Sequence, residues 1–388
     1  MSPPTILFMG RIFEVPWGGV REMAESLLRA AAPLCAAQGR RIDVLVPRAG
    51  MCPVLHEAVR EVVLPRFGGN RILWDHWTVA NHANRQPNAV LYNIKLVLPE
   101  RLRIPGFTSI HDLMYFPQPT KYDWREYLLA DSLYMRLMVT RTVRRARYIH
   151  TDSHHTAADA RDLFPTAPPD MFRTIHLGVD AARLAPRPED DADRREWEAL
   201  GQRGVEGPYI LYTGGLSRRK NITLLLRAAR GFLERHPEYR IVVTGGSKPT
   251  IGDPALADAI AALPAGKLIR LGAVSSRALK LLYQRAQFFV FPSLYEGFGL
   301  PPLEAQAAGC PVICSRATSL PEVVGDSALL IDPHSEEEMA AALEAMTDEA
   351  TRALYRQRGL ENSARFTWER TAAAWLDLVD DVYRDHRP

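Results

Sequence analysis

The sequence predicts an α/β protein made of two domains, each built on an open parallel sheet, and three observations carry that prediction. The first is length: 388 residues at 47% hydrophobic content are enough for two buried cores rather than one. The second is the order strand, Gly-containing loop, helix, strand between Phe288 and Cys314. The third is the same order near the start, where the apolar run Thr5–Met9 ends at Gly10 and Gly18-Gly19 open an amphipathic helix. That helix ends at Gly39 and a second apolar run, Ile42–Val46, stops at Pro47. Unbroken apolar runs of this length read as parallel strands buried on both faces. Their carboxyl ends, where the glycines fall, are where such sheets bind ligands.

Along the first domain, G-x-G-x-x-G is absent, so the turn at Gly19 is not a dinucleotide fingerprint. A short strand is expected at Val62–Leu64, a helix over Leu73–Ala83 and strands at Ala89–Asn93 and Phe107–Ile110. His111 follows the last of these. It either points into the crevice beyond the strand or is satisfied by Asp112 or by backbone. Trp124–Arg147 reads as one long helix carrying Arg136, Arg141, Arg144, Arg145 and Arg147. Its arginines form a solvated face; a basic amphipathic helix can also rest on an anionic bilayer. Ser153 caps the next helix, and the domain closes at Gly178-Val179-Asp180. Residues 181–207, with Pro186, Pro188 and the acids Glu189–Asp193, read as a solvated linker. Asp191-x-Asp193 is not assigned to a metal, because no apolar strand delivers it to a pocket.

The second domain, 208–367, starts with the strand Tyr209–Tyr212 and the loop T-G-G-L-S-R-R-K-N. Arg219 and Lys220 stand behind Gly214 and Gly215 at the mouth of a helix, a place suited to a phosphate, although such clusters are also ordinary solvated loops. Strands ending at Gly245-Gly246 and at Gly272 follow, and Val274 lies in the turn after the latter. After Phe288–Phe291, Pro301 and Pro302 start a helix whose mouth exposes the N–H groups of Phe298, Gly299 and Leu300 to an anion. Glu296 and Glu304 flank this turn with seven residues between them. They cap the loop and complement the dipole, or they accept hydrogen bonds from neutral hydroxyls beside the anion.

E-G-F-G-L-P-P-L-E, then A-x-A-x-G-x-P-V-I and L-P-E-V-V-G-D-x-A-L-L-I-D-P, resembles the donor-binding region of retaining glycosyltransferases of family four, and the resemblance covers essentially the whole chain. It implies the GT-B fold: two Rossmann-like domains facing across a cleft, with a C-terminal helix, here 368–388, crossing back to the first. It also implies that Glu304 holds the ribose of a nucleotide sugar, that Glu296 and His111 face the transferred sugar, and that Gly19 and Gly214 approach the donor. Arg219 and Lys220 would neutralise the diphosphate, and the turns at Gly246 and Val274 would flank the nucleotide. Many relatives carry Arg where this chain has Gly215, which leaves that neutralisation to Arg219 and Lys220. The implied reaction is metal-independent transfer of a hexose to a glycan or glycolipid acceptor. GDP-mannose is the favoured donor, with a UDP-hexose behind it, and there is no cofactor beyond this substrate.

A net charge of +3 is too small to point to nucleic acid. Cys35, Cys52, Cys310 and Cys314 form no CxxC pair and read as free thiols of a reducing compartment. No signal peptide or bilayer-length apolar run is present, so the expected location is the cytoplasm, with the inner membrane face left open by the basic helix. The competing readings are a sugar-nucleotide epimerase of the same fold, which would need no acceptor, and a non-catalytic sugar-nucleotide binder.

Overall fold

The computed structural model describes residues 3–15, 18–116, 129–246 and 254–386. The chain forms two compact units, one of Met1–Phe116, Tyr127–Gly178 and Trp368–Pro388, the other of Pro117–Glu126 and Val179–Thr367.

In the first unit, β1 (Thr5–Met9) passes through a 3₁₀ turn (Gly10–Glu14) into α1 (Gly19–Ala37) and β2 (Ile42–Val46). Next come β3 (Val59–Val63), α2 (Arg71–Leu73), a π-helical stretch (Trp74–Val79), α3 (Ala80–Ala83), β4 (Ala89–Asn93) and β5 (Gly106–Ile110). The unit continues with α4 (Leu129–Val143), β6 (Ile149–Thr151), α5 (His154–Leu163) and β7 (Phe172–Thr174). The strands pair in parallel in the order β3-β2-β1-β4-β5-β6-β7, so chain direction across the sheet reverses between β1 and β4. A crevice opens beyond the strand ends at such a reversal.

Three sequence expectations shift here. β3 lies three residues earlier than expected at its start, because its register with β2 runs from Ile42↔Val59 to Val46↔Val63. The following helical stretch starts at Arg71 rather than Leu73, since the Asn70 side chain caps it by accepting from the Leu73 N–H at 3.0 Å. α4 ends at Val143, so Arg144, Arg145 and Arg147 follow the helix instead of belonging to it; residues 124–128 of the expected helix lie outside the described residues.

The second unit opens with α6 (Ala181–Leu184) and α7 (Asp191–Gln202), then β8 (Tyr209–Thr213), a 3₁₀ turn (Arg218–Lys220), α8 (Ile222–Arg235) and β9 (Arg240–Thr244). α9 (Pro254–Ala261), β10 (Leu268–Gly272), α10 (Ser276–Arg285), β11 (Phe288–Phe291), α11 (Leu300–Ala307) and β12 (Val312–Ser315) follow. The remaining elements are α12 (Leu320–Val324), β13 (Leu329–Ile331), α13 (Glu336–Ala345) and α14 (Glu349–Ser363). All six strands run parallel in the order β10-β9-β8-β11-β12-β13, which puts the reversal between β8 and β11. The core under this sheet gathers Ile210, Tyr212, Leu225, Phe232, Phe288 and Ile313.

The solvated linker expected over 181–207 is corrected by this unit. Asp193 is fully buried on α7, where its carboxylate accepts from Lys280 Nζ at 2.8 Å and from an Arg277 guanidinium nitrogen at 2.5 Å. Local composition shows the acids but not the cations that come to them from α10, far along the chain.

The last helix, α15 (Trp368–Asp385), belongs to the first unit and packs on α1 and β4. Trp375 is fully buried there, its ring 5.1 Å from that of Tyr92 and 6.3 Å from that of Phe107. Arg40 donates to Asp380 at 2.8 Å and the Tyr148 hydroxyl to Asp385 at 2.5 Å, so polar contacts border the aromatic one. Among the described residues, no helix is long and apolar enough to cross a membrane.

Candidate functional site

The predicted residues of the second unit meet where β8 and β11 end side by side. Beyond β8 the chain turns through Gly214, at φ +137°, and the basic turn to Asn221, itself left-handed at φ +53°. The Asn221 side-chain amide donates to Pro292 O at 3.1 Å and Pro333 O at 2.8 Å, which ties the basic turn to the loop after β11. That strap lets Lys220 Nζ donate to Glu296 Oε1 at 2.7 Å while Arg219 donates to the same oxygen at 3.0 Å and to Tyr295 O at 2.6 Å. The Ser293 hydroxyl donates to that oxygen as well. Burial alone would raise the Glu296 carboxyl, but Arg219 and Lys220 outweigh it and hold the group down at about 2. Two cations on one carboxylate leave a net positive charge, and Lys220 Nζ also lies 4.7 Å from the centre of the Phe291 ring.

The loop carrying Glu296 is clamped from α12 and its approach. Ser319 Oγ donates to the carbonyls of Glu296 at 2.9 Å and Phe298 at 2.6 Å, and the Glu296 N–H donates to Thr318 Oγ1 at 3.0 Å. Gly299 sits at φ +123°, and a Cβ there would come within 2.7 Å of Leu320 Cδ2, so only glycine lets the loop turn into α11 at Leu300. One turn into α11, Glu304 accepts from the Tyr283 hydroxyl at 3.2 Å, and that hydroxyl lies 3.3 Å from Thr213 Oγ1 at the end of β8. Next to this, Gly214, Gly246, Arg270 and Gly272 line a cavity of about 390 Å³, and Val274 is half-buried in the turn beyond Gly272.

The other two predicted residues, Gly19 and His111, lie in the first unit, after β1 and β5. His111 Nδ1 lies 2.8 Å from Asp152 Oδ2 and Nε2 lies 2.7 Å from Ile94 O. Both ring nitrogens therefore face oxygen acceptors, an arrangement that favours the protonated ring. Burial would lower its pKa, but Asp152 overrides this and the net shift is upward. The stability this adds is present below the unfolded histidine value and is lost as pH rises through the folded one. Of the two partners the sequence left open, the backbone one forms, through Ile94 O, while the carboxylate on Nδ1 is Asp152 rather than the adjacent Asp112.

Gly214, Arg219, Lys220, Glu296, Phe298, Gly299, Leu300 and Glu304 are therefore brought together, with Gly246 and Val274 at neighbouring strand ends. Sequence reasoning missed Tyr283 and Ser319, which reach the second-unit site through tertiary packing, and Asp152, which reaches His111 in the same way within the first unit. Two residues had a local signal: Ser293, three residues before Glu296 in its own loop, and Asn221, tolerant of the left-handed region between a turn and a helix.

Residues 193–362 match the family model described as "Glycosyl transferases group 1". The chain is 33% identical over 275 residues to the O-antigen chain mannosyltransferase B of Escherichia coli, covering 70% of this chain and 69% of that protein. It is 29% identical over 230 residues to a D-inositol 3-phosphate glycosyltransferase of Corynebacterium kroppenstedtii, covering 56% of this chain and only 50% of that one. The fold is also that of a sucrose-phosphate synthase of Thermosynechococcus elongatus, with a TM-score of 0.71 at 19% identity, over 99% of this chain and 100% of that one. With its two Rossmann-like sheets, its paired glutamates and this likeness along the sequence, the chain belongs to the group 1 glycosyl transferases of GT-B fold.

Proposed function

We propose that this protein transfers mannose from GDP-mannose to a hydroxyl of a glycan or lipid-linked acceptor during surface-polysaccharide synthesis, with retention of anomeric configuration. The observation that carries the donor half is the convergence of Lys220 and Arg219 on one oxygen of Glu296 at the β8/β11 reversal. A diphosphate leaving group needs fixed positive charge close by, and this pair provides it without a metal. The N–H groups at the start of α11 add to it. Glu304, set by Tyr283, then takes the ribose hydroxyls, and Glu296 orients the sugar; His111, whose two ring nitrogens are held by Asp152 and Ile94 O, takes part only if the sugar displaces the Ile94 carbonyl from Nε2. The mannosyl preference is supported by the relative named for O-antigen mannosyl transfer.

The test is a melting-temperature panel with GDP-mannose, UDP-glucose and a dTDP-sugar, each with chelator present. GDP-mannose at 100 times its dissociation constant should stabilise by about 2.7 kcal/mol, and Glu304→Ala should remove most of that gain. Stabilisation by UDP-glucose alone would reassign the donor; a requirement for added divalent ion would end the metal-free reading. Turnover of donor with no acceptor present, giving an epimer, would favour the epimerase.

Peripheral contact with an anionic membrane is supported by a surface of the first unit. Leu133 and Leu137, one turn apart on α4, are 69% and 49% exposed, and Ile72 is 50% exposed on α2. α4 touches the π-helical stretch that follows Ile72 through Tyr134, whose hydroxyl lies 3.1 Å from His76 Nε2, and Arg71 on α2 with Arg141 and Arg144 at the end of α4 are exposed as well. The protein should sediment with phosphatidylglycerol vesicles and not with phosphatidylcholine ones, and Leu133→Asp with Leu137→Asp should abolish the binding. Equal sedimentation of the double variant would refute this surface.

A further inference from the structure

We propose that Asp75 belongs to the acceptor subsite, where its carboxylate receives hydrogen bonds from neighbouring hydroxyls of a neutral sugar at the end of the acceptor. The proposal rests on the glycosyl-transfer reading above and extends it to residues of the first unit to which that reading gives no role.

The first observation is how Asp75 is held. It lies in the π-helical stretch Trp74–Val79, an irregularity that helices often carry at functional sites. Both neighbours are pinned: the Trp74 indole donates to Leu64 O at 2.8 Å, and His76 lies 3.1 Å from the Tyr134 hydroxyl through Nε2 while its Nδ1 accepts from the Glu100 N–H at 3.1 Å. Asp75 itself is only partly exposed, and its Oδ1 is sealed from solvent with no hydrogen-bond partner among the described residues. A carboxylate left this way is unfavourable in the empty protein unless something else completes its bonding.

The second observation is what faces it. Arg71, Arg11 and Lys95 attract its charge and Glu14 repels it. Arg11 follows β1 and Lys95 follows β4, the two strands that flank the reversal in this sheet, and the contacts of Trp74 with Leu64 O and of His76 with the Glu100 N–H hold Asp75 near the carboxyl ends of β3 and β4, where an α/β sheet takes its ligand. Arg11 is fixed from one side by Glu14 at 2.8 Å, and its Nη1 is likewise buried without a partner. Burial pushes the Asp75 carboxyl up to about 6 even though these cations pull it down.

The third step is the ligand class. A phosphate would meet Arg11, Arg71 and Lys95 favourably but would also meet Asp75 and Glu14. A sugar hydroxyl is both donor and acceptor, and it suits a set in which carboxylates accept and guanidinium and ammonium groups donate. Carboxylate plus cations therefore selects a neutral polyol over a second anion.

The test uses α-1,3-mannobiose as acceptor probe and GDP-mannose as donor. Asp75→Asn should raise the KM for mannobiose about ten- to a hundredfold, the range expected for lost charge-assisted hydrogen bonds, while the KM for GDP-mannose stays within about twofold. In parallel, saturation-transfer NMR should detect mannobiose on the wild-type protein without donor and lose the signal in Asp75→Asn, with Asp75→Glu restoring part of it. Unchanged mannobiose binding in Asp75→Asn, or no binding to the wild type, overturns the subsite. Absence of any GDP-mannose turnover by wild type overturns the GDP-mannose donor reading instead, and the NMR result still decides the role of Asp75.

Discussion

Lys220→Ala is expected to lower kcat by about 10²–10³-fold, the loss typical when one fixed group that stabilises developing charge is removed. Lys220 Nζ is held 2.7 Å from Glu296 Oε1 and above the Phe291 ring, so its position is set before any ligand arrives. Charge on the leaving phosphate grows as the glycosidic bond breaks. A pre-positioned cation therefore acts more strongly in the transition state than in the bound donor, and kcat should fall with kcat/KM by a similar factor. Arg219 remains on Glu296 at 3.0 Å, so the carboxylate keeps a partner and the fold should survive. Steady-state kinetics with a matched thermal melt check both halves. A kcat within threefold of wild type would remove Lys220 from the chemistry, while a collapsed melt would show that its role is structural.

Trp375→Ala should have the largest effect on stability, about 3–5 kcal/mol for emptying an aromatic site of this kind. The ring is fully buried against Tyr92 and Phe107 on the first sheet. It also shares a small, mostly apolar cavity with His111, so the loss opens space beside a proposed sugar contact. Scanning calorimetry should show the transition of the first unit moved down by several degrees, with the transition of the second unit in place. Equal displacement of both, or of neither, would contradict the assignment of α15 to the first core.

What could be read from residues alone was the local alternation of apolar run, glycine and helix. Thr5–Met9, Ile42–Val46, Phe288–Phe291 and the helix after Pro301 all carry their own signals, and each formed where the pattern put it. Strand order has no such local signal. Nothing in Tyr209–Thr213 or Phe288–Phe291 says that these two strands are neighbours, yet their adjacency is what carries Lys220 to Glu296. The same limit explains Asp193, whose acidic neighbourhood suggested solvent until Lys280 and Arg277 closed on it, and Asp152, which displaced Asp112 as the partner of His111. The site was legible as a list of side chains because glycines and prolines fix their backbone locally. Its electrostatics were not, because they depend on which loops the sheet sets side by side.

The docking of α15 on the first sheet has a consequence for biosynthesis. Tyr92, Phe107 and Arg40 are made early, but the tryptophan and aspartate that cover them emerge only after the whole of the second unit. A nascent chain on the ribosome must therefore carry an uncovered aromatic face through the whole synthesis of the second unit. The unit that starts first is completed only after the second, and a stop before Trp368 would leave that face open to chaperones and aggregation.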